Sequence, residues 1–512
     1  MSNNQKKFIY SNLSGGINTS ASRVGLLGNS KKLFWDDSYN VEIYKNFGVA
    51  SVKGSVKIAQ DTDNESILGI AQVGEDTTDF IYLTKNGKMC YFSDDLSVAT
   101  EIKTLNAPPE RFCAINFLNG VLVLTGTNRI QYVKTGATPE VSEVVIVGVD
   151  GSEVFGQTIA QYASRVWVSD GSILYFSSLG TYDIWDEAEN AGYIANFHTS
   201  TTEIVAMTEY AGKLAIYKPD GVYLLSGLTV EDFTISKLGN IGAMSTGSVV
   251  SANNKQFFIS RHGIFALEQF GELAQIGVNT EISVNINNEF LNFDLEKLPL
   301  ATVLHNYDRN QIWFFTPHRD FAGISEVLIY DYLNHAWCKR RIPFDIQCAS
   351  TVKGKILTGS SDGAIFMEDI GNTFSGKPIK FSFSTPFFHF GQPNTRKTVE
   401  VVNLILDEKF QNSFKFSVCK DFTKASEADE DYMQTISPKS LVFASKEGTG
   451  GNYNAVWADN ENGDFAWAEP IEDGMRVEVF DSNTSFQLNI SSSELGDSFG
   501  LVGIEFSEIT FD

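Results

Sequence analysis

Cysteine and histidine are both scarce in this sequence. The 512 residues include 5 cysteines and 6 histidines. The cysteines show no C-x-x-C spacing and the histidines show no H-x-x-x-H spacing. The sequence therefore predicts neither a disulfide framework nor a zinc site.

Long apolar runs are absent as well. No uncharged apolar stretch approaches the length of about 18 residues that a membrane-spanning helix needs. Residues 1–7 are polar and lack the apolar centre of a secretory signal. We therefore expect a protein that has no membrane span and is assembled in the cytoplasm.

Basic residues are outnumbered by acidic ones. Lys and Arg total 39 against 63 Asp and Glu, and the formal net charge is −24. A groove that grips nucleic acid gains affinity by neutralising phosphates with Lys and Arg, so this balance argues against a duplex-binding protein. It does not argue against a protein through which DNA moves without being bound.

Proline is also rare, whereas aromatic residues and glycine are abundant. The chain has 12 Pro against 39 Phe, 18 Tyr and 42 Gly. Aromatic residues suit half-buried strands and glycine closes tight hairpins, so we predict an all-β fold with many turns. The exception is one helical spacing, Ile282, Ile286, Phe290 and Phe293, which predicts a short helix.

The middle of the chain repeats a unit of strand, turn and strand. The turns share a Gly or Asn dipeptide and are Asn86-Gly87, Asn128-Arg129, Asp170-Gly171, Asp220-Gly221, His262-Gly263 and Asp362-Gly363. Such dipeptides close two-residue hairpins. Most recur about every 40 to 65 residues, which predicts a β-propeller of about six to eight blades. Irregular β-sandwich hairpins are the alternative, because the repeats are uneven and share little sequence.

The strands become longer and lose this rhythm towards the C-terminus. We therefore predict three parts: an N-terminal arm with the first strands over 1–60, the propeller over 61–375, and a C-terminal β-sandwich over 376–512. The sandwich carries an acidic insertion at 426–464 that is rich in Gly and Asn. Such a run is more often a solvated insertion than a binding site.

Motifs for catalysis and cofactor binding are not met. Residues 360–363 depart from the sialidase-type turn, because the glycine comes one residue early and no tryptophan follows. Residues 61–72 resemble a calcium loop superficially, but Ser66 and Gln72 stand where glycine and glutamate are needed. We expect a non-enzymatic protein with no cofactor and no metal site. A propeller glycosidase is the enzymatic alternative, and its pair of carboxylates cannot be located from sequence.

The N-terminal segment carries the most specific pattern. Residues 13–19 read Leu-Ser-Gly-Gly-Ile-Asn-Thr and are followed by the blocks 35–42 and 47–54. This order resembles the opening of podovirus tail proteins of the nozzle or tail tubular protein B class. Later segments are similar to the blades and the platform-like β-sandwich of that family: 220–225, 242–245, 258–265, 330–332 with Trp337, 388–397 and 496–504.

The resemblance implies a structural subunit of a short bacteriophage tail. It implies a hexameric ring in the virion beneath a portal and an adaptor, with the propellers outside and a DNA channel on the ring axis. At 512 residues the chain is short for a nozzle, so a tail-tube or hub subunit fits better than a nozzle tip. An acidic lumen would repel phosphates and let DNA slide, but the acidic balance could equally serve solubility alone.

Large aromatic side chains are the candidate contacts in such a ring, since interfaces recruit them at their centres. The predicted contacts with other subunits or the adaptor are Trp35, Tyr39, Phe388 and Phe390. A propeller that recognises a receptor or a glycan at the tail tip is the alternative function. In that case the loop aromatics Tyr182, Trp185 and Trp457 would stack on the ligand.

Overall fold

A computed structural model gives the fold in two units. It describes residues 6–21, 32–44, 47–74, 77–93, 99–134, 136, 139–195, 202–270, 275–290, 292–317, 323–407, 414–420, 434–436, 442–443, 451–452, 457–459, 465–467, 475–492 and 494–511. The propeller unit comprises Ser55–Tyr332 and Arg341–Gly371. The sandwich unit comprises Met1–Gly54, Leu333–Arg340 and Asn372–Asp512.

The described part of the chain contains eight four-stranded sheets, of which seven are the propeller blades, although residues 336–340 of blade 6 are grouped with the sandwich unit. From the axis outward their strands are: blade 1, Ile67–Gln72, Phe80–Thr84, Lys88–Phe92 and Thr100–Thr104; blade 2, Cys113–Phe117, Gly120–Leu124, Ile130–Lys134 and Glu140–Val144; blade 3, Thr158–Tyr162, Arg165–Asp170, Ile173–Phe176 and Gly192–Ile194; blade 4, Ala206–Tyr210, Lys213–Lys218, Gly221–Ser226 and Thr234–Gly239; blade 5, Val249–Ala252, Lys255–Ser260, Gly263–Phe270 and Gln275–Glu281; blade 6, Thr302–Asn306, Gln311–Phe315, Ser325–Asp331 and Ala336–Ile342; blade 7, Ile346–Val352, Lys355–Ser360, Ala364–Glu368 and Ser55–Gln60. The prediction of an all-β propeller is confirmed.

The blades close into a ring. Their inner strands contact one another in sequence, and Ile346–Val352 of blade 7 contacts Ile67–Gln72 of blade 1. The outer strand of blade 7, Ser55–Gln60, comes from before blade 1 and pairs with Ala364–Glu368. The two ends of the propeller sequence are therefore joined by strand hydrogen bonds within one sheet, which leaves no open seam in the ring.

Tyrosine hydroxyls tie successive blades together. Tyr162 ends the inner strand of blade 3 and donates to the carbonyl of Gly227 in blade 4 at 2.7 Å. Tyr210 ends the inner strand of blade 4 and donates to the carbonyl of Asn254 in blade 5 at 2.7 Å. Burial raises the pKa of both phenols, so they stay protonated donors at neutral pH.

The predicted helical spacing gives a short helical segment between blades 5 and 6. A 3₁₀ turn over Val284–Ile286 leads into the α-helix Asn287–Phe290. Ile286 and Phe293 are buried, and the rings of Phe290 and Phe293 lie 4.5 Å apart. A short helix is therefore present at the predicted place, but of the four predicted residues it contains only Phe290, with Ile286 in the preceding 3₁₀ turn.

The sandwich unit contains two larger sheets. In the first, the strand order is Val41–Tyr44, Gly48–Ser51, Gly500–Phe511, Lys397–Leu406 and Met475–Asn483, and Lys6–Tyr10 also pairs with Gly500–Phe511. In the second, the order is Phe381–Ser384, Phe486–Ser492, Phe414–Lys420 and Gln434–Ile436. The unit also contains two short antiparallel strand pairs. Val442–Phe443 pairs with Gly451–Asn452, and Trp457–Asp459 pairs with Phe465–Trp467.

An aromatic core fills the sandwich unit. The rings of Phe388 and Phe506 lie 4.7 Å apart, and those of Phe381 and Phe499 lie 5.0 Å apart. All four side chains are almost fully buried. The abundance of phenylalanine in the sequence is explained in part by this core, since a buried ring removes a large apolar area from water.

The division into units differs from the predicted boundaries. The arm predicted over 1–60 is not a separate part, because Met1–Gly54 groups with Asn372–Asp512 and Gly48–Ser51 pairs with Leu501 and Gly500. The last residues of the predicted arm, Ser55–Gln60, instead form the outer strand of blade 7. Most of the predicted insertion at 426–464 lies outside the described residues.

Candidate functional site

The Gly-Gly motif lies at a close backbone crossing in the sandwich unit. Gly15 N–H donates to the carbonyl of Leu33 at 3.1 Å, and Ile17 N–H donates to the carbonyl of Trp337 at 2.7 Å. Gly16 has a φ of +71°, and a Cβ at this position would lie 2.6 Å from the Trp337 oxygen. A side chain at position 16 would therefore meet both backbone strain and a steric clash.

The other glycines of the N-terminal pattern have the same role. A Cβ at Gly48 would lie 2.6 Å from the carbonyl oxygen of Leu501, and a Cβ at Gly54 would overlap the carbonyl of Thr373. Each of these glycines lets the N-terminal segment approach the backbone of the C-terminal part of the same unit. The motif is therefore explained by packing within the sandwich unit.

The polar residues of the pattern join the same three segments. Asn40 has a φ of +56°, its N–H donates to the carbonyl of Lys339, and its side-chain amide donates to the carbonyl of Lys380, both at 2.7 Å. Lys339 pairs with Asp37 at 2.5 Å. The buried guanidinium of Arg340 donates to the carbonyl of Gly54 at 2.9 Å. We call this meeting of the N-terminal segment, Leu333–Arg340 and the C-terminal sheets the motif cluster.

Three of the four predicted interface aromatics are core residues of the sandwich unit. Trp35 is fully buried, donates its indole N–H to the carbonyl of Leu13 at 2.6 Å and packs on Phe383. Phe388 and Phe390 are also buried. In this conformation all three contact their own chain, which corrects the expectation that they anchor a partner. Tyr39 is half-buried and stays a candidate contact.

The predicted recognition aromatics are only partly available. Tyr182 stacks on Tyr132 with ring centroids 4.0 Å apart. The indole N–H of Trp185 donates to the carbonyl of Tyr182 at 2.9 Å, and both rings pack against the core shared by blades 2 and 3. The side chain of Trp457 lies outside the described residues.

The inner strands of the propeller are almost free of charge. Among them, Glu209 is the one carboxylate, and there is no Lys or Arg. The position before the last residue of the inner strand is polar in six blades: Asn116, Gln161, Glu209, Ser251, His305 and Thr351. Burial lowers the pKa of His305, which keeps its ring neutral at pH 7. The inner strands themselves therefore offer no cation to a phosphate here, although Lys213, Lys255 and Lys353 lie in or beside the turns that follow them.

A cavity of about 310 Å³ lies between blades 6 and 7. Thr302, Phe315, Ile346 and Gln347 contribute to its lining. A volume of this size is at the lower end of the range for small-molecule pockets. The lining combines hydroxyl, amide and apolar groups with the charged residues Lys297, Glu326 and Asp345.

Two groups at this cavity show no sign of catalytic activation. Glu326 is buried and pairs with Arg341 at 2.9 Å, so its carboxylate is neutralised within the chain. Burial raises the pKa of the Cys348 thiol to about 12, so the nucleophilic thiolate is not populated at neutral pH. The Cys348 thiol is therefore not activated as a nucleophile at neutral pH.

The acidic segment that resembles a calcium loop is a closed turn. The Asp61 carboxylate accepts from the N–H groups of Asp63 at 3.0 Å and Glu65 at 3.2 Å, and it pairs with Lys88 at 3.1 Å. Burial alone would raise the pKa of Asp61, but these N–H groups and the Lys88 ammonium lower it overall. Within the described ranges, His, Cys, Asp and Glu form no group of three or more that could hold a metal ion. The same ranges contain no helix of the length and hydropathy that a bilayer crossing requires.

Comparisons with known proteins assign no family to this chain. No model of a known protein family matches the chain, and no curated protein matches its sequence. Virginiamycin B lyase from Staphylococcus aureus matches 62% of this chain and 99% of its own, with 9% identity and a TM-score of 0.40. The computationally designed Ika8 protein matches 62% and 100%, with 10% identity and a TM-score of 0.39. YCF48 from Cyanidioschyzon merolae matches 62% and 98%, with 11% identity and a TM-score of 0.39.

At this level of similarity the neighbours say nothing about activity. The sheet topology described above is the evidence for the architecture. The chain is a propeller-based module joined to a β-sandwich.

Proposed function

We propose that this chain is a non-enzymatic structural subunit of a short bacteriophage tail. In this proposal it is a nozzle, hub or tube component that forms part of the DNA-ejection channel below the portal and adaptor. The observation that carries the proposal is the motif cluster. Residues that resemble the tail family lie far apart in the sequence, yet Gly16, Asn40 and Trp337 meet in one unit.

This convergence supports a structural reason for the resemblance. If the sequence matches to the tail family were due to chance, the matching residues would not be expected to contact one another through backbone hydrogen bonds and glycine-dependent backbone crossings. The glycines at 15, 16, 48 and 54 are each needed for a close approach to a neighbouring backbone. A family that keeps the same crossing would keep the same residues.

The net charge of the chain is consistent with a protein through which DNA moves without being bound. The formal net charge of −24 disfavours an overall attraction to phosphates. Affinity for duplex DNA depends on basic tracks and on the counterions that they release. Passage through a tail needs their absence, because an attractive lumen would slow ejection.

The remaining parts of the proposal follow from the resemblance. They are a homohexameric ring, contacts with portal, adaptor and other tail proteins, a location in the virion tail and assembly in the host cytoplasm. The half-buried ring of Tyr39 is the aromatic candidate for a contact in such a ring.

Electron microscopy of virions that lack this gene product tests the proposal. We expect filled heads with shortened or leaking tails, and restoration of normal tails by the wild-type gene supplied in trans. Intact, tightly closed tails with lost adsorption would contradict a structural role. Mixing the purified chain with portal and adaptor proteins is the companion test, and a ring of defined mass is the expected product.

A receptor-binding or glycan-binding propeller is the second candidate. The cavity between blades 6 and 7 is the observation that favours it, because Phe315 and Thr302 together offer a ring face and a hydroxyl to a sugar. Saturable binding of a glycan by the purified monomer would support this function. Turnover of the glycan would instead support an enzyme.

A further inference from the structure

The cavity between blades 6 and 7 is lined at the ends of several strands. Thr302 begins the inner strand of blade 6 and lies opposite Phe315, which ends the next strand. Ser325 begins the third strand of blade 6, and Ile346 begins the inner strand of blade 7. Sheet hydrogen bonds therefore hold much of the lining in place, and all of it belongs to the propeller unit.

Thr316 carries a buried hydroxyl at the wall of this cavity. The residue is 7% exposed, lines the cavity and follows directly after Phe315. Among the described residues, its Oγ1 has no hydrogen-bond partner. A hydroxyl in this state destabilises the fold, because it has lost water without gaining another partner. Rotation about χ1 exchanges the hydroxyl and methyl positions of threonine, so one rotamer change can present the hydroxyl to a ligand.

Two neighbouring side chains have hydrogen-bonding capacity left over. Ser325 Oγ accepts from Ile346 N–H at 2.8 Å, and the Gln347 side-chain amide donates to Asp345 at 2.9 Å. Within the described ranges, this leaves the Ser325 hydroxyl proton as a donor and the Gln347 amide oxygen as an acceptor. The cavity therefore offers a donor, an acceptor and, at Thr316, a group that can be both.

The charges at the cavity disfavour an ionic ligand. Three charged residues line it: Lys297, Glu326 and Asp345. Lys297 pairs with Asp294 at 3.5 Å, and Glu326 pairs with Arg341 at 2.9 Å. Two cations therefore stand against three carboxylates, and this balance repels an anion. An ammonium group can only donate, so it would leave the hydroxyl donor of the cavity without an acceptor.

We infer that this cavity binds one neutral monosaccharide ring. Each hydroxyl of a sugar both donates and accepts, so adjacent hydroxyls can meet Thr316, Ser325 and Gln347 together. The C–H groups of the ring can pack on Phe315. The volume of about 310 Å³ suits a single ring, since it is at the lower end of the range for small-molecule pockets. The inference rests on the glycan-binding candidate above and names its ligand.

Saturation-transfer NMR of the purified full-length chain tests the inference. The probes are glucose, galactose, mannose and N-acetylglucosamine. We expect saturable binding of at least one of them with a Kd of about 0.1 to 10 mM, because the ligand has few atoms.

Three comparison ligands test the chemistry of the site. Sorbitol is an open-chain polyol, glucuronate is an anion and glucosamine is a cation. Each should bind at least about tenfold more weakly than the best neutral sugar. The reasons are the ordering cost of the open chain, charge repulsion and the unmet donor, respectively.

Matched variants test the residues. Thr316→Val removes the hydroxyl and keeps the β-branched shape. It should weaken sugar binding about three- to tenfold without lowering the Tm of the free protein, since the hydroxyl has no partner among the described residues. Ser169→Ala is the control, because Ser169 in blade 3 is a buried hydroxyl that likewise has no described partner. It should leave binding unchanged.

A second variant covers the case in which Thr316→Val does not fold. Gln347→Ala changes an exposed residue of the lining, so the fold should tolerate it. It removes the amide acceptor and should weaken binding by a similar factor of about three to ten.

Three results would overturn the inference. They are the absence of saturable binding by all four sugars, binding that Thr316→Val and Gln347→Ala leave unchanged, and equal binding of sorbitol. Binding that neither variant affects would place the glycan site elsewhere and leave the glycan-binding candidate standing. None of these results changes the phenotype of virions that lack the protein, so failure here is distinguishable from failure of the tail proposal.

Discussion

At the scale of single residues, Gly16 shows how a motif glycine acts. Its φ of +71° lies in the left-handed region, and the Trp337 carbonyl occupies the place of a side chain. The Gly-Gly motif is visible in the sequence, but the residue that it approaches lies more than half the chain away. Sequence alone could therefore identify the motif and could not identify its physical cause.

Gly16→Ala should lower the free energy of unfolding of the sandwich unit by about 2 to 4 kcal/mol, since strain and a clash add. Gly212→Ala is the matched control, because Gly212 has a φ of +69° with no atom within 4 Å of an added Cβ. Its cost should be only about 1 kcal/mol. Chemical unfolding of both variants is the measurement, and equal losses would contradict the steric account.

Asp61 gives a pH-dependent prediction at the same scale. Its folded-state pKa lies below the ordinary value of 3.8. A lowered carboxyl pKa stabilises the fold fully above the ordinary value, and this stabilisation is lost as the pH falls through the folded-state value. Asp61→Asn keeps the acceptor for the N–H groups and removes the charge that faces Lys88. We expect a loss of about 1 to 3 kcal/mol near neutral pH.

Thermal unfolding from pH 7 down to pH 3 measures this effect. The difference in Tm between wild type and Asp61→Asn should be largest at neutral pH and should shrink in acid. Asp63→Asn is the control, because Asp63 also pairs with Lys88 but its side chain is 65% exposed. Its effect should be small at every pH. A difference for Asp61→Asn that grows in acid would refute the assignment.

At the scale of elements, hairpins were predictable and long-range pairs were not. Gly87 and Gly363 have positive φ, as expected of the hairpin dipeptides that predicted the blades. The strand Ser55–Gln60 does not pair with a strand next to it in the sequence. Its partner, Ala364–Glu368, lies at the other end of the propeller sequence. Local patterns cannot reveal such a pair, and the predicted boundary at 60 therefore cut through blade 7.

A disulfide across this closing pair tests its register. Val56 lies opposite Met367 in the antiparallel pair, and Cβ atoms of directly opposed residues are about 4.5 to 5.5 Å apart. The double substitution Val56→Cys and Met367→Cys should therefore form a disulfide with little backbone movement. Closing so long a loop could stabilise the propeller by up to about 4 kcal/mol.

Chemical unfolding of the oxidised and reduced forms is the measurement. Oxidation should raise the midpoint and reduction should restore the value of the unlinked protein. Val56→Cys alone is the control and should not respond to oxidant, since the native cysteines are mostly buried. Failure of the double variant to form an intramolecular disulfide would contradict the strand register.

At the scale of the whole molecule, composition predicted the class of fold but not its assembly from segments. Abundant Phe and Gly with little Pro indicated an all-β protein, and the repeat spacing indicated blades. The sandwich unit is built from three separate segments, Met1–Gly54, Leu333–Arg340 and Asn372–Asp512. Interface residues were the hardest to predict. Large aromatic residues such as Trp35 and Phe388 are enriched both in hydrophobic cores and at subunit interfaces, so their type does not distinguish the two locations.

The central proposal is that the chain is a subunit of a short phage tail. Electron cryo-microscopy of the intact tail of a phage that carries this gene tests the proposal most directly. We predict that seven-bladed propellers and β-sandwiches of this chain are repeated around the DNA channel beneath the portal. A complete tail reconstruction in which every subunit is assigned to other chains would contradict it.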